Sequence, residues 1–247
     1  AYKVLEKLGA ENAQGDLNEI IESLKTSQDV VHEKFWQKKY ALPIIAAVAL
    51  AAFNQFSGIN ALLYYAPKVF TMGGSAREAA LLQSIPIGIM LVFSTALGLA
   101  LIDKLGRKIL LIIGSIGMAI FLGLVAIQFY IRDGNNDIGK NIMLYFIGYI
   151  LFFGFSTGAV VWVFIAEIFP NKIRAKGQSL GSLTVWVTNA IVCQSFPVFA
   201  ALKSIGPGHS FMFFAICMIV QAVFVWLVLP ETKGISLEQL QKKLGID

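Results

Sequence analysis

The segment "NQFSGINALLYY", Asn54 to Tyr65, stands inside an apolar run that is long enough to cross a membrane. Its three amides, its Ser-Gly pair and its two tyrosines are unusual there, because lipid offers polar groups no hydrogen-bond partners. Backbone groups freed inside the hydrocarbon are tolerated only where protein or a water-filled cavity satisfies them. The segment therefore predicts an interrupted transmembrane helix whose polar residues meet protein or water.

The composition of the whole chain supports this interpretation. The chain has 247 residues, of which 57% are hydrophobic and 14% are charged, and its mean hydropathy is +0.71. A soluble domain carries about a quarter charged residues. The net charge of +5 does not indicate nucleic acid as a partner, because membrane proteins collect basic residues in their cytoplasmic loops. The composition predicts an all-α membrane protein whose partner is the lipid bilayer.

Hydropathy divides the chain into six predicted spans, each with the roughly 20 apolar residues that a bilayer crossing needs. They run over Tyr40–Phe70, Ala79–Ile102, Ile109–Ile131, Asn141–Ile165, Ser179–Leu202 and Phe211–Leu229. Residues 40–230 then form a transmembrane unit, residues 1–39 a linker and residues 231–247 a tail. Capping boxes at Asp16 and Ser236 predict short helices in the linker and the tail. The more basic loops lie on one side, which predicts that both termini are cytoplasmic.

The polar residues of the first span favour a binding site at mid-membrane depth. Ser57 and Gly58 weaken the helix, Gln55 precedes them, and Asn60 and Tyr64 follow on one face. Transporters use such interrupted helices to present polar groups to a substrate at the midplane. Amides both donate and accept hydrogen bonds, which suits an uncharged, polyhydroxylated ligand. The alternative is that these amides only hold helices together, as polar side chains do in membranes.

Four motifs extend the argument to almost the whole chain. They are "QFSGINALLYY" from Gln55, "DKLGRK" from Asp103, "VVWVFIAEIFPNKIRAKG" from Val160 and "LPETKG" from Leu229. In this order and spacing they resemble the sugar porter family of the major facilitator superfamily. The resemblance implies the C-terminal half of a twelve-helix transporter that moves a monosaccharide, a hexose or a pentose, by alternating access. Its other partner is then the N-terminal six-helix half. The opening residues, which do not begin with Met, likewise suggest a C-terminal piece or a processed product.

The resemblance also implies roles for individual residues. It places the bound sugar against amides and tryptophans, which are Asn54, Gln55, Asn60, Trp162, Trp186 and Asn189. Tyr64 and Tyr65 correspond to a tyrosine pair that closes the extracellular side. For the two tryptophans, the alternative is core packing or a position in the interfacial aromatic belt.

Four positions depart from the family pattern. Asn54 stands where a second glutamine is usual, Leu91 where an asparagine is expected and Val185 where a polar residue is common. Ala159 replaces a frequent proline and leaves Gly158-Ala159 as the predicted flexible point. Lost amide contacts are expected to change affinity or sugar preference.

Charged residues cluster at the predicted cytoplasmic ends of the spans. The resemblance implies that they pair between helices and hold the inward side shut, and the set is Asp103, Arg107, Lys108, Glu167, Arg174 and Glu231. The alternative is a solvated run of positive-inside charge. That alternative explains the lysines well and explains Glu167 poorly, because this acid interrupts an apolar segment.

The sequence does not indicate an enzyme, a cofactor or a metal site. His32 and His209 lie in a linker and a loop, away from any Cys, Ser or acid constellation. No acid or histidine is predicted at membrane depth, so any proton-coupling group is expected in the other half. Two alternative functions stay open: a six-helix half-transporter or channel subunit complete in itself, and a sugar sensor that does not transport.

Overall fold

Helices account for all the regular secondary structure in the residues that the computed structural model describes, which are 34–132, 138–202 and 206–234. The helices predicted around Asp16 and Ser236 lie outside these ranges. Within them, six helical spans are long and apolar enough to cross a membrane. The prediction of an all-α membrane protein with six spans is therefore confirmed.

The six spans are longer than the apolar runs that predicted them. Their bounds are Lys38–Met72, Arg77–Leu105, Arg107–Tyr130, Gly139–Ile168, Arg174–Ala201 and Gly206–Val228. The fifth span begins at Arg174 rather than at Ser179, and the sixth begins at Gly206 rather than at Phe211. Hydropathy marks only the part of a helix that matches the hydrocarbon, whereas the helical hydrogen bonds continue into the polar ends.

The first span is divided at the predicted place. After a short 3-10 turn, Lys38–Tyr40, it consists of two helices, Ala41–Phe56 and Ile59–Met72. Gly58 joins them with a φ of 80°, in the left-handed region that glycine adopts at little cost. The predicted interruption of the first span is confirmed.

Packing and hydrogen bonds hold this break in place. The Tyr149 hydroxyl of the fourth span donates to the Ser57 carbonyl at 2.9 Å, and both groups are buried. The Ser57 hydroxyl donates to the Asn54 carbonyl at 2.6 Å. A Cβ atom on Gly58 would lie 2.5 Å from the Phe214 ring of the sixth span. Glycine is thus required here both by its φ and by the close approach of the sixth span.

The fourth span is also irregular. It runs from Gly139 to Phe153 as an α-helix, passes through a π-helical segment at Gly154–Gly158 and continues as an α-helix over Ala159–Ile168. Gly154 lets the second span approach, since a Cβ atom there would lie 1.9 Å from the Ser94 hydroxyl. Segments of π-helix inside α-helices are frequent at functional sites.

The two irregular segments lie between two hydrophobic cores. One core surrounds the second half of the first span and includes Leu62, Phe70 and Phe146. The other surrounds its first half and includes Leu50 and Phe164. The break at Ser57 and Gly58 separates the two halves, so the polar residues beside it form a layer between two apolar clusters.

Candidate functional site

The amides of the first span form one continuous hydrogen-bonded chain. The Asn60 amide nitrogen donates to Gln55 Oε1 at 2.8 Å, and Gln55 Nε2 donates to Asn54 Oδ1 at 2.8 Å. Asn54 Nδ2 in turn donates to the backbone carbonyl of Thr157 at 3.2 Å. We call these three hydrogen-bonded residues, Asn54, Gln55 and Asn60, the amide chain. The amide chain crosses the break in the first span and ends on the π-helical segment of the fourth span.

The Thr157 carbonyl sets the direction of the whole amide chain. A carbonyl oxygen can only accept, so Asn54 must turn its NH₂ group towards Thr157 and its Oδ1 towards Gln55. The same reasoning then orients Gln55 and, after it, Asn60. The hydrogen-bond network thus determines which amide atom is oxygen and which is nitrogen in each side chain. At the end of the amide chain that lies away from Thr157, Asn60 presents its Oδ1 as an acceptor.

Burial distinguishes the members of the amide chain. Asn54 is 5% exposed and Gln55 is 3% exposed, whereas Asn60 is half-buried. Asn54 bridges the first and fourth spans, which is what the alternative of helix-connecting amides predicts. Asn60 is the most exposed of the three amides, and Gln55 is hydrogen-bonded to it.

The two predicted cavity tryptophans point outward. Trp162 is 46% exposed in a stretch of the fourth span whose neighbours are mostly buried, and Trp186 is 63% exposed on the fifth span. Their exposure excludes core packing within the described residues, and a role in lining the cavity stays a prediction. Asn189 is buried, and its Oδ1 accepts a hydrogen bond from the Cys193 thiol at 3.1 Å.

The predicted tyrosine pair is divided between two environments. Tyr64 is 60% exposed. The Tyr65 hydroxyl donates to the Cys193 carbonyl at 3.2 Å, and its ring lies 5.8 Å from that of Phe196. Neighbouring side chains on a helix point about 100° apart, which explains the division. Cys193 contacts both Tyr65 and Asn189. Its position one helical turn after Asn189 could have indicated the contact with Asn189.

Four of the six predicted gate residues form one network at one end of the bundle. Arg107 donates to both Glu167 oxygens, at 2.7 and 3.1 Å, and its third nitrogen lies 3.1 Å from Asp103 Oδ1. The Thr232 hydroxyl also donates to Glu167, at 2.7 Å. A two-pronged contact between Arg and a carboxylate is among the strongest charged hydrogen-bonding arrangements. We call this network, with Glu231, the charged end.

Glu231 has a role in the charged end that the sequence did not predict. Its carboxylate accepts from the backbone N–H groups of Arg107 and Lys108, each at 3.0 Å. These are the first residues of the third span, where unpaired N–H groups and the helix dipole favour a negative charge. Gly106 has a φ of 90°, and a Cβ atom there would lie 2.7 Å from Glu231 Oε2. Glu231 therefore caps a helix that starts far from it in the sequence.

Within the described residues, the contacts of Lys108 and Arg174 do not connect their side chains to this network, and their role in the gate stays a prediction. Lys108 contributes only its backbone N–H to Glu231 among the contacts of the described residues. The Arg174 guanidinium donates instead to the Phe169 carbonyl at 3.4 Å, at the end of the fourth span. Lys108 is the second residue of the third span, and Arg174 is the first residue of the fifth span.

Sequence reasoning missed three residues that support the site. Thr157 receives the amide chain, and Tyr149 binds the carbonyl at the break. Gln221 of the sixth span donates through Nε2 to the Thr157 hydroxyl at 3.1 Å. A lone glutamine in the run "CMIVQAVFV" is a signal that could have identified Gln221, because polar side chains inside spans are rare.

Comparison with known proteins agrees with this architecture. The family described as "Sugar (and other) transporter" matches residues 1–244. The arabinose-proton symporter of Bacillus subtilis is 33% identical over 98% of this chain and 51% of its own length. The glucose facilitated diffusion protein of Zymomonas mobilis is 34% identical over 98% of this chain and 51% of its own length.

A solved structure is also similar to this chain over about half of its own length. The proton:xylose symporter XylE, an Escherichia coli protein, has been solved with 6-bromo-6-deoxy-D-glucose bound. That structure superimposes with a TM-score of 0.75 at 33% identity, over 98% of this chain and 54% of the XylE chain. The chain thus spans about half the length of the relatives it matches. It belongs to the sugar transporter family of the major facilitator superfamily.

Proposed function

We propose that this chain supplies the C-terminal half of a transporter that moves a monosaccharide across a membrane by alternating access. The observation that carries the proposal is the amide chain beside the left-handed break at Gly58. An interrupted helix at the middle of a span is where transporters of this kind bind their substrates. The bound sugar rests against Gln55, Asn60 and Asn189, with Trp162 and Trp186 lining the cavity around it.

The chemistry of the amide chain favours an uncharged polyol. Its groups are amide N–H donors and amide oxygens, and its hydrogen bonds end on a backbone carbonyl rather than on a charge. The described acids of the chain, Glu78, Asp103, Glu167 and Glu231, lie at span ends or beyond them. A hexose or a pentose offers hydroxyl groups that both donate and accept, which matches this set.

The partner of this half is a second six-helix half, and the substrate lies between the two. The half-length coverage of the relatives supports this arrangement. The exposed tryptophans and Tyr64 then face the partner half across the cavity, and Tyr64 with Tyr65 closes the extracellular side. Both termini are cytoplasmic, which places the linker of residues 1–39 and the tail of residues 231–247 on that side.

The charged end acts as the cytoplasmic gate. Arg107 is nearly buried while Glu167 is partly exposed, so the pair can form in one conformation and separate into water in another. Such a pair shifts a two-state equilibrium without touching the substrate. Any proton-coupling group lies in the other half, because the described residues at membrane depth in this half carry amides, hydroxyls and aromatic rings.

Alanine substitutions in the amide chain test the binding role. In the full-length transporter, Gln55→Ala and Asn60→Ala should each raise the KM for sugar. One lost hydrogen bond of about 0.5–1.5 kcal/mol corresponds to about 2- to 12-fold. Gln55→Ala should have the larger effect, because it also leaves Asn54 Oδ1 and Asn60 Nδ2 without their partners. Wild-type kinetics in both variants would assign the amides to helix packing alone.

Asn141→Ala provides the matched control. Asn141 donates to Gln128 at 3.3 Å at the exposed end of the fourth span, so its removal should leave the KM unchanged. The isolated chain gives a second test, because it should bind labelled monosaccharides weakly or not at all. Tight, saturable binding or uptake by the isolated chain would instead favour a six-helix transporter complete in itself. Binding without transport by the full-length protein would favour a sugar sensor.

A further inference from the structure

Gln221 is a fully buried glutamine in the C-terminal half of the sixth span. Its Nε2 donates to the Thr157 hydroxyl at 3.1 Å, and that hydroxyl is also fully buried. Its Oε1 has no hydrogen-bond partner among the described residues. Turning the amide round would satisfy Oε1 through the Thr157 hydroxyl but would leave the NH₂ group unpaired, so either orientation leaves one polar atom unsatisfied.

This arrangement costs stability rather than adding to it. A buried polar atom without a partner loses its hydration and gains nothing in return. An apolar residue of similar volume would avoid the loss, and the neighbouring Met218 and Val225 on the same buried face are apolar. The presence of a glutamine here is therefore better explained by what it contacts than by packing.

The contact leads directly to the amide chain. Thr157 receives Gln221 on its hydroxyl and Asn54 on its carbonyl. It lies in the π-helical segment Gly154–Gly158, where the helical register of the fourth span changes. Since the Thr157 carbonyl sets the direction of Asn54, Gln55 and Asn60, any shift of Thr157 is transmitted to the end of the chain that meets the ligand.

We infer that Gln221 is a positioning residue for the sugar-binding amides and that it acts through Thr157. By tying the π-helical segment to the sixth span, Gln221 holds the Thr157 carbonyl where Asn54 can reach it. Gln221 itself does not touch the substrate. The inference rests on the proposed function, because it assigns Gln221 to the sugar site.

Three variants of the full-length transporter test the inference. Gln221→Leu removes the amide and keeps the volume, and Thr157→Val removes the hydroxyl but keeps the carbonyl. The third variant combines both changes. Met218→Leu, on the same buried face of the sixth span one turn earlier, is the matched control. The measurements are the KM and maximal rate of radiolabelled xylose, arabinose and glucose uptake in proteoliposomes, and the melting temperature in detergent.

The expected result for Gln221→Leu is a rise in KM without a loss of stability. Gln221→Leu should raise the KM about 2- to 12-fold, the effect of one hydrogen bond, with an unchanged maximal rate. Its melting temperature should equal or exceed that of the wild type. Thr157→Val should raise the KM by a similar factor but lower the melting temperature, because it leaves the buried Gln221 amide without its partner. The KM of the double variant should match that of either single variant, because both changes break the same link. Met218→Leu should resemble the wild type.

Other outcomes would overturn the inference. A wild-type KM in Gln221→Leu, or effects that add in the double variant, would show that Gln221 does not act through Thr157. A lower melting temperature with an unchanged KM would assign Gln221 to packing. If Gln221→Leu does not fold, Thr157→Val decides by the same KM criterion. Absence of sugar uptake by the wild type would refute the proposed function itself, which is a separate result.

Discussion

Gly58→Ala should destabilise the chain by about 2–5 kcal/mol. The first contribution is conformational: Gly58 has a φ of 80°, and an L-residue in the left-handed region costs about 1–2 kcal/mol. The second is steric, because the new Cβ atom would lie 2.5 Å from the Phe214 ring. Forcing an extra carbon into a packed site of this kind costs about 1–3 kcal/mol.

Two further variants separate these contributions. Gly123→Ala in the third span meets no atom within 4 Å and should stabilise that helix by about 0.5–1 kcal/mol. Phe214→Leu, compared alone and together with Gly58→Ala, should show a favourable coupling of about 1–3 kcal/mol, which is the steric part. The conformational part should remain in the double variant. The assay is the free energy of unfolding from denaturant titration in detergent micelles.

Two results would refute this reasoning. One is a Gly58→Ala variant whose unfolding free energy lies within about 0.5 kcal/mol of the wild type, the usual range of a neutral surface substitution. The other is a double variant with no coupling, which would show that Phe214 does not restrict position 58. The first result would mean that the first span can rebuild a continuous helix through the break, and the second would remove the steric part of the predicted cost.

Three further predictions concern the contacts around the break and at the charged end. Tyr149→Phe should lower the unfolding free energy by about 1–3 kcal/mol, because it leaves the buried Ser57 carbonyl unpaired; an unchanged value in denaturant titration would contradict this. Arg107→Lys should destabilise the conformation that contains the charged end, since lysine cannot make both bonds to Glu167; limited proteolysis of the reconstituted protein should then show faster cleavage, and equal rates would count against the pairing. If the proposed full-length transporter is proton-driven, Glu167→Gln should slow driven uptake and sugar exchange alike, and loss of the driven mode alone would place proton coupling in this half.

Much of the fold could be predicted because its determinants lie in contiguous residues. A bilayer about 30 Å thick requires long apolar helices, so hydropathy located six spans and their order. The break was equally local, since a Ser-Gly pair inside the first span marks the weak point. The span ends were less accurate, as at Arg174, because helical hydrogen bonds do not stop where the apolar residues do.

The contacts among the candidate site residues could be predicted in part. Gln55 and Asn60 were identified from their residue types and from the motif around them, and they do hydrogen-bond to each other. The role of Thr157 could not be predicted, because a threonine in an apolar helix normally binds its own backbone. Its contact with Asn54 joins positions 103 residues apart and depends on how the first and fourth spans pack.

The charged end shows the same limit. Arg107 and Glu167 were expected to pair, and they do. Arg174 and Lys108 carry the same charge as Arg107 and stand at similar helix ends, yet Arg174 donates to the Phe169 carbonyl and Lys108 contributes its backbone N–H. Charge and position along the chain do not distinguish the three residues, because the direction of a side chain depends on the rotation of its helix against its neighbours.

The sequence by itself determined the number of spans, the position of the break and the family, because each depends on local hydropathy or on contiguous motifs. Only the tertiary structure decided which polar groups meet: Asn54 with Thr157, Gln221 with Thr157, and Glu231 with the start of the third span. These contacts join distant parts of the chain at about 3 Å, the range of a hydrogen bond. At that range, the result depends on helix rotation and on close approaches such as that of Phe214 to Gly58, which no single segment contains.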